Sequence, residues 1–170
     1  VELIDGTILR KDRRDSPEDS IMTHGPRHSS VLHTLLALLA SFATQHGSYV
    51  LVQSPITLPP MSEPEPDLAI VQGTPRDYLD VHPTVADIAL VIEVSLSSLR
   101  ADRSSKRLLY GASGVVEYWI VDVDARAVEV HRDPSPNGYK SIQRFSELES
   151  VTLNLSGHQL TLPLADFLFV

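Results

Sequence analysis

The fold is organised around the stretch from Glu65 to Lys106, which contains Glu65-Pro66-Asp67-Leu68-Ala69-Ile70-Val71 and then Ala89-Leu90-Val91-Ile92-Glu93-Val94-Ser95. Each of these two segments places one carboxylate at the edge of an apolar run of strand length. A carboxylate buried among Leu, Ile and Val is costly unless a cationic group holds it. Because carboxylates on neighbouring strands repel each other, a divalent cation between Asp67 and Glu93 is the simplest remedy.

A third segment, Asp102 to Lys106, lies just downstream in a helical pattern that we place at Leu99 to Ser113. This pattern predicts that Leu108, Leu109 and Ala112 form the buried side of the helix, whereas Arg100, Arg103 and Arg107 face solvent. The chain has only three lysines, Lys11, Lys106 and Lys140, so a site that depends on a lysine has few candidates.

The composition is that of an ordinary globular protein, with 170 residues, of which 42% are hydrophobic and 21% charged. We expect one domain spanning 1–170. No apolar run reaches the roughly 18 to 20 residues of a membrane helix, no signal-peptide pattern is seen and cysteine is absent, so we expect a cytoplasmic protein without a membrane partner. The formal net charge of −8 counts against a general nucleic-acid coat protein, but it does not exclude a nuclease.

Outward from the central stretch, the pattern alternates between strands and helices. An Asp5-Gly6 turn predicts a hairpin within Glu2 to Arg10, and the polar segment from Lys11 to Gly25 predicts a long loop. The predicted helices are Arg27 to His46, Leu99 to Ser113 and a short closing helix at Leu162 to Leu168. The predicted strands are Tyr49–Gln53, Ile56–Leu58, Leu68–Val71, Ile88–Val94, Val115–Val123, Ala127–Arg132, Tyr139–Phe145 and Val151–Leu155. This order predicts an α/β (α+β) fold with a mixed central sheet flanked by helices, in which Ile88–Val94 is a central strand.

Six short motifs occur in one order along the chain. They are Glu-Leu-Ile-Asp-Gly at 2–6, Gly-Pro-Arg-His at 25–28, Glu-Pro-Asp-Leu at 65–68, Val-Ile-Glu-Val-Ser at 91–95, Asp102 with Lys106 and Tyr110, and Glu-Tyr-Trp-Ile-Val-Asp at 117–122. Each motif alone is weak. Together, from Glu2 to the C-terminal Leu-Pro-Leu-Ala-Asp-Phe-Leu, they resemble the Uma-two family of bacterial restriction-endonuclease-like proteins, which belongs to the PD-(D/E)XK nuclease superfamily.

The resemblance implies a restriction-endonuclease-like fold and a catalytic site. Asp67 matches the Asp of the Pro-Asp motif and Glu93 matches the second acid. The lysine that the superfamily places two residues after this acid is Ser95 here, and in the Uma-two family Lys106 of the following helix takes its place. Glu2 matches an acidic position near the N-terminus that completes the site.

The activity implied is hydrolysis of DNA phosphodiester bonds by a Mg²⁺- or Mn²⁺-dependent endonuclease. Mg²⁺ prefers hard oxygen ligands, so we expect Asp67, Glu93 and the backbone carbonyl of Val94 to bind the metal. Lys106 would orient or deprotonate the water or stabilise the developing charge, and the last role is the safer assignment. A homodimer is suggested only by analogy with restriction nucleases, which often cut two strands as dimers, and the oligomeric state stays open.

Simpler explanations exist for each of these residues. Asp67 could cap a turn after Pro66, Glu93 could pair with Arg100 or Arg103, and Lys106 could be a solvated helix residue. We expect His28 and Gln53 to be neighbours of the site rather than ligands. His24 and His28 have the spacing of a helical zinc pair, but no third ligand is evident.

Two other functions remain open. The first is a nucleic-acid-binding or regulatory module that keeps the nuclease fold without turnover. The second is a protein–protein interaction domain, which would show an apolar surface patch and no acidic pocket.

Overall fold

A six-stranded mixed sheet forms the centre of the protein, in a computed structural model that describes residues 2–4, 6–9, 25–96 and 98–169. The strand order is β3-β4-β5-β6-β7-β8. The neighbours β5 and β6 are parallel, and the other neighbouring pairs are antiparallel. The strands of the described chain are β1 (Glu2–Ile4), β2 (Thr7–Leu9), β3 (Ser48–Val52), β4 (Leu68–Gln72), β5 (Ile88–Ser95), β6 (Glu117–Asp122), β7 (Ala127–Ser135), β8 (Gly138–Ser146), β9 (Ser150–Leu155) and β10 (His158–Pro163).

Helices cover both faces of this sheet. On one face, α1 (Pro26–Gln45) packs with β9 and β10 over a core that includes Leu35, Leu39 and Trp119. On the other face lies a continuous helical segment made of α2 (Leu99–Ala101), a π-helical turn (Asp102–Lys106) and α3 (Arg107–Ser113). The α/β prediction with a mixed central sheet is therefore confirmed.

The central strand β5 is buried along its length because it has a strand on each side and a layer on each face. This explains why its sequence is apolar without alternation. Its parallel neighbour β6 is reached through the helical segment on one face, the crossover that a parallel pair requires.

The β1–β2 hairpin is attached at one end of the sheet. Leu3 and Glu63 exchange backbone hydrogen bonds of 3.3 and 2.7 Å, so the hairpin is fixed to the segment that leads into β4. The predicted hairpin is thus confirmed, whereas the predicted loop at Lys11 to Gly25 lies outside the described residues except for Gly25.

Three predictions of secondary structure are wrong. Ile56–Leu58 makes isolated bridges rather than a strand, because it lies between prolines that donate no hydrogen bond. The closing helix reduces to a 3-10 turn at Leu164–Asp166, preceded by the unpredicted strand β10. The buried side of the 99–113 helix is also different, since Leu108 and Ala112 are exposed while Asp102 and Tyr110 are fully buried.

None of the described helices combines the length and the apolar character that a membrane span requires.

Candidate active site

The register of the sheet brings three polar residues abreast at one end of the strands. Val52 of β3 pairs with Leu68 of β4, and Leu68 pairs with Ile92 of β5. Continued by one residue, this register places Asp67 between Gln53 and Glu93, with about 4.8 Å between neighbouring strands. The Gln53 backbone N–H donates to the Asp67 carbonyl at 3.1 Å, which extends the pairing beyond the strand ends.

Asp67 is held by three hydrogen-bond donors. Its Oδ2 accepts from the Val94 backbone N–H at 2.9 Å and lies 3.1 Å from His28 Nε2, and its Oδ1 accepts from Gln53 Nε2 at 3.2 Å. Burial on its own would raise the pKa of Asp67, but the hydrogen bonds and the charge of His28 outweigh burial and lower this pKa to about 2. Asp67 is therefore ionised at neutral pH.

Gln53 reaches Asp67 from an unusual backbone conformation, with φ of 42°. A non-glycine residue in this region is strained, and such strain is found where the surrounding structure fixes a side chain in place. His28 reaches Asp67 from the first turn of α1. The two residues predicted as site neighbours thus both contact Asp67.

Glu93 is almost fully buried and shares one oxygen between two donors. Lys106 Nζ lies 2.9 Å and the Tyr110 hydroxyl 2.8 Å from Glu93 Oε1. Burial raises the pKa of Glu93 to about 8, since the Lys106 ammonium only partly offsets the desolvation and the carboxylate of Asp67 adds repulsion. Burial thus opposes ionisation of Glu93, whereas hydrogen bonds keep Asp67 ionised.

Lys106 is surrounded by three carboxylates. Its Nζ lies 2.9 Å from Glu93, 3.7 Å from Asp102 Oδ1 and 3.8 Å from Glu2 Oε1. Burial lowers the pKa of Lys106, but the three carboxylates outweigh burial and raise it above its ordinary value. The side chain is 17% exposed and remains an ammonium, which favours charge stabilisation over a role as general base.

Asp102 fixes the helix that carries Lys106, a role that the sequence analysis did not assign. Its Oδ2 accepts hydrogen bonds from Ser95 Oγ at 2.5 Å and Ser98 Oγ at 2.6 Å. Ser95 occupies the position where the superfamily pattern has lysine, and here it joins β5 to the π-helical turn. The spacing of the chain could have indicated this role, because Asp102, Lys106 and Tyr110 are each four residues apart and so share one helix face.

Glu2 lies at the site although it comes from the β1–β2 hairpin. Its Oε1 accepts a hydrogen bond of 3.0 Å from the Glu65 backbone N–H as well as facing Lys106. All four residues predicted as catalytic, Glu2, Asp67, Glu93 and Lys106, therefore converge.

The simpler explanations do not describe these side chains. Arg103 pairs with Glu129 and Asp122 rather than with Glu93, through a hydrogen bond of 2.9 Å from its Nε to Glu129. His24 of the considered zinc pair lies outside the described residues, and His28 contacts Asp67.

The donor set fits a hard divalent cation. Asp67 Oδ1 accepts one hydrogen bond from the described residues, and Glu93 Oε2 accepts none from them, so lone pairs remain on both carboxylates. The N–H and C=O of one strand residue point to the same side, so the Val94 carbonyl is expected on the β4 side of β5, where its N–H contacts Asp67. Within the described ranges no three His, Asp or Glu side chains are arranged to hold a metal, and the remaining ligands would be backbone, water or substrate oxygens.

Comparison with known proteins shows the family and the fold of the chain. The model of the Uma2 family, described as "Putative restriction endonuclease", matches residues 1–165. No curated protein matches the chain. A crystal structure of a "putative nuclease belonging to DUF820" from Anabaena variabilis ATCC 29413 has a TM-score of 0.71 at 18% identity, covering 99% of this chain and 89% of that one. At this identity the likeness shows a shared fold.

Proposed function

Because the chain belongs to the Uma2 family of restriction-endonuclease-like proteins, we propose that it is a metal-dependent endonuclease that hydrolyses DNA phosphodiester bonds. One observation carries the proposal: Lys106 Nζ lies 2.9 Å from Glu93 Oε1, and the strand register sets Asp67 beside Glu93. Two acids and one ammonium from three different elements have no need to meet for the stability of the fold alone.

In this proposal Asp67, Glu93 and the Val94 carbonyl hold Mg²⁺ or Mn²⁺. The bound ion would supply Lewis acidity at a phosphoryl oxygen and a lowered pKa of its water. The Lys106 ammonium stabilises the negative charge that develops on the phosphoryl oxygens. Glu2 and Asp102 keep Lys106 charged, and His28 and Gln53 hold the Asp67 carboxylate in one orientation.

The first prediction concerns cleavage. Wild type is expected to nick supercoiled DNA or cut single-stranded DNA in Mn²⁺ or Mg²⁺, and Asp67→Asn and Lys106→Ala are each expected to lower the rate at least about 100-fold, because each removes a group that acts on the transition state. Gel-based time courses with both substrates, with and without metal, measure this rate. Lys140→Ala is the matched control, since Lys140 is exposed on β8 and remote from Glu93 in the sheet order.

A stability measurement separates an enzyme from a binding module. Metal that binds the folded protein raises its unfolding free energy by about 2.7 kcal/mol at a concentration 100 times Kd, and Asp67→Asn should abolish that gain. Equal nicking by wild type and Lys106→Ala would remove Lys106 from the mechanism. A protein with neither a metal response nor cleavage would be the non-catalytic module.

A further inference from the structure

A pocket of about 280 Å³ lies on the outer part of the sheet, beside the candidate active site. Its walls are mainly apolar and aromatic and include Leu51 and the rings of Tyr49 and Tyr78, whose centroids are 6.0 Å apart. Ser54 and His82 are the polar residues of the lining. Pro55 and Pro83 add rigid walls. This volume is at the lower end of ligand pockets and fits one planar ring system rather than a large ligand.

The pocket opens on the same sheet face as Glu93. Leu51 pairs with Ala69, and Ala69 pairs with Val91, so these three residues share a face and a row across the strands. Glu93 follows Val91 by two residues and shares its face. Two strand spacings and two residues along a strand separate Leu51 from Glu93 by roughly 12 Å.

The wall of the pocket is also continuous with the site. Ser54 and Pro55 line the pocket and directly follow Gln53, whose side chain donates to Asp67. A chain held with one phosphate between Asp67, Glu93 and Lys106 would therefore pass the pocket with a neighbouring nucleotide.

The charges around the pocket favour an uncharged group over a phosphate. Burial raises the pKa of Tyr49 and of Tyr78, and the nearby carboxylates of Asp77 and Asp87 raise both pKa values further. Hydrogen bonds from Thr74 lower the pKa of Asp77, which keeps that carboxylate ionised. A nucleobase is uncharged, stacks on aromatic rings and carries N–H donors that suit nearby carboxylates.

We propose that the pocket formed by Tyr49, Leu51, Pro55, Tyr78 and Pro83 binds one unpaired nucleobase of the strand held at the candidate active site, so that the substrate class is single-stranded or locally opened nucleic acid. This inference rests on the proposed nuclease function. A paired base keeps its ring faces inside the helical stack, and only an unpaired base exposes them to the tyrosines.

The experiment measures the affinity for oligonucleotides that carry the fluorescent base 2-aminopurine, as a single strand and as the matched duplex, in EDTA and in Ca²⁺. Tyr78→Ala is expected to weaken single-strand binding about tenfold, as the loss of one base–ring stack does, and to leave duplex binding unchanged. Tyr78→Phe keeps the ring and should bind as wild type does. Leu148→Ala is the control, because Leu148 is a 92% exposed apolar residue in the turn after β8.

Each outcome decides the proposal. Quenching of 2-aminopurine by wild type and Tyr78→Phe, but not by Tyr78→Ala or Tyr49→Ala, supports the pocket. Single-strand affinity that is unchanged in Tyr78→Ala, or lowered equally in Leu148→Ala, overturns it. Because binding is measured without turnover, a protein that fails to cleave DNA but shows the expected quenching would contradict the nuclease proposal and leave the pocket supported.

Discussion

At the scale of single residues, two buried tyrosine hydroxyls differ in whether they have a hydrogen-bond partner. Tyr110 and Tyr139 both lie on the helical side of the sheet, in one cluster with Tyr118. The Tyr110 hydroxyl donates to Glu93 Oε1 at 2.8 Å, whereas the buried Tyr139 hydroxyl has no hydrogen-bond partner among the described residues. A donor that meets a buried carboxylate stabilises the fold, and an unsatisfied hydroxyl destabilises it.

The second prediction follows from this contrast. Tyr110→Phe is expected to lower the free energy of unfolding by about 1.5 to 3 kcal/mol, because Glu93 loses a hydrogen bond to a charged or chargeable group. Tyr139→Phe is expected to be neutral or stabilising, since it removes a hydroxyl that hydrogen-bonds to no group in the described part of the chain. Urea unfolding of both variants at pH 7 measures the difference, and an equal loss in the two would contradict the role given to the Tyr110 hydroxyl.

At the scale of elements, the helical segment that carries Lys106 is fixed at both ends. Asp102 ties its π-helical turn to β5 through Ser95, and Gly111 lets α3 approach β8 closely. A Cβ atom at Gly111 would lie 2.2 Å from the Gly138 carbonyl oxygen. This distance is too short, so the two backbones would have to move apart. π-Helical turns recur at functional sites, and here the turn directs both Asp102 and Lys106 toward Glu93.

The third prediction tests this close approach. Gly111→Ala is expected to lower stability by about 3 kcal/mol, because the added methyl group meets backbone rather than a flexible side chain. It should also lower any metal-dependent cleavage by moving the helix that holds Lys106. Thermal unfolding and the cleavage rate measure the two effects. Gly25→Ala is the control, since a Cβ there meets nothing within 4 Å, and its stability should change by less than about 1 kcal/mol.

At the scale of the whole molecule, the excess of acidic residues is partly offset by arginines in a second cluster of charged side chains beside the candidate site. Arg103 and Arg144 contact Glu129 on the helical face of the sheet. His131 lies below this cluster between Tyr118 and Tyr139, is 1% exposed, and has its Nε2 3.6 Å from Glu129 Oε2. Burial lowers the pKa of His131, and Glu129, Arg103 and Arg107 only modify that effect.

The fourth prediction concerns pH. The pKa of His131 in the folded protein lies below its ordinary value of 6.5, so protonation favours the unfolded chain. The contribution of His131 to stability is therefore complete above about pH 6.5 and is lost as the pH falls toward the folded pKa. His131→Phe keeps a ring between the two tyrosines and should lack this part of the decline.

Unfolding free energies of both proteins from pH 7.5 to 5 measure this difference. Carboxylates titrate in both proteins, so the difference between the two curves is the readout. Parallel curves over this range would show that His131 does not gain a proton on unfolding.

The homodimer suggested by analogy stays a prediction, as does the cytoplasmic location.

The sequence by itself determined the strands β4 and β5, because Leu68–Val71 and Ile88–Val94 are short apolar runs rich in Val and Ile, which is typical of buried strands. It also indicated Asp67 and Glu93, since a carboxylate next to such a run needs a reason to be there. Local chemistry was enough for the Asp5-Gly6 hairpin and for α1.

Only the tertiary structure decided what surrounds these acids. The pairing of β3, β4 and β5 places Gln53, Asp67 and Glu93 abreast, and the helical segment turns polar rather than apolar residues toward them. Leu108 is exposed and Tyr110 buried because the hydrogen bonds of a buried carboxylate outweigh the apolar pattern of the helix. Such contacts join residues far apart in the chain, and their energies depend on burial that no local pattern specifies.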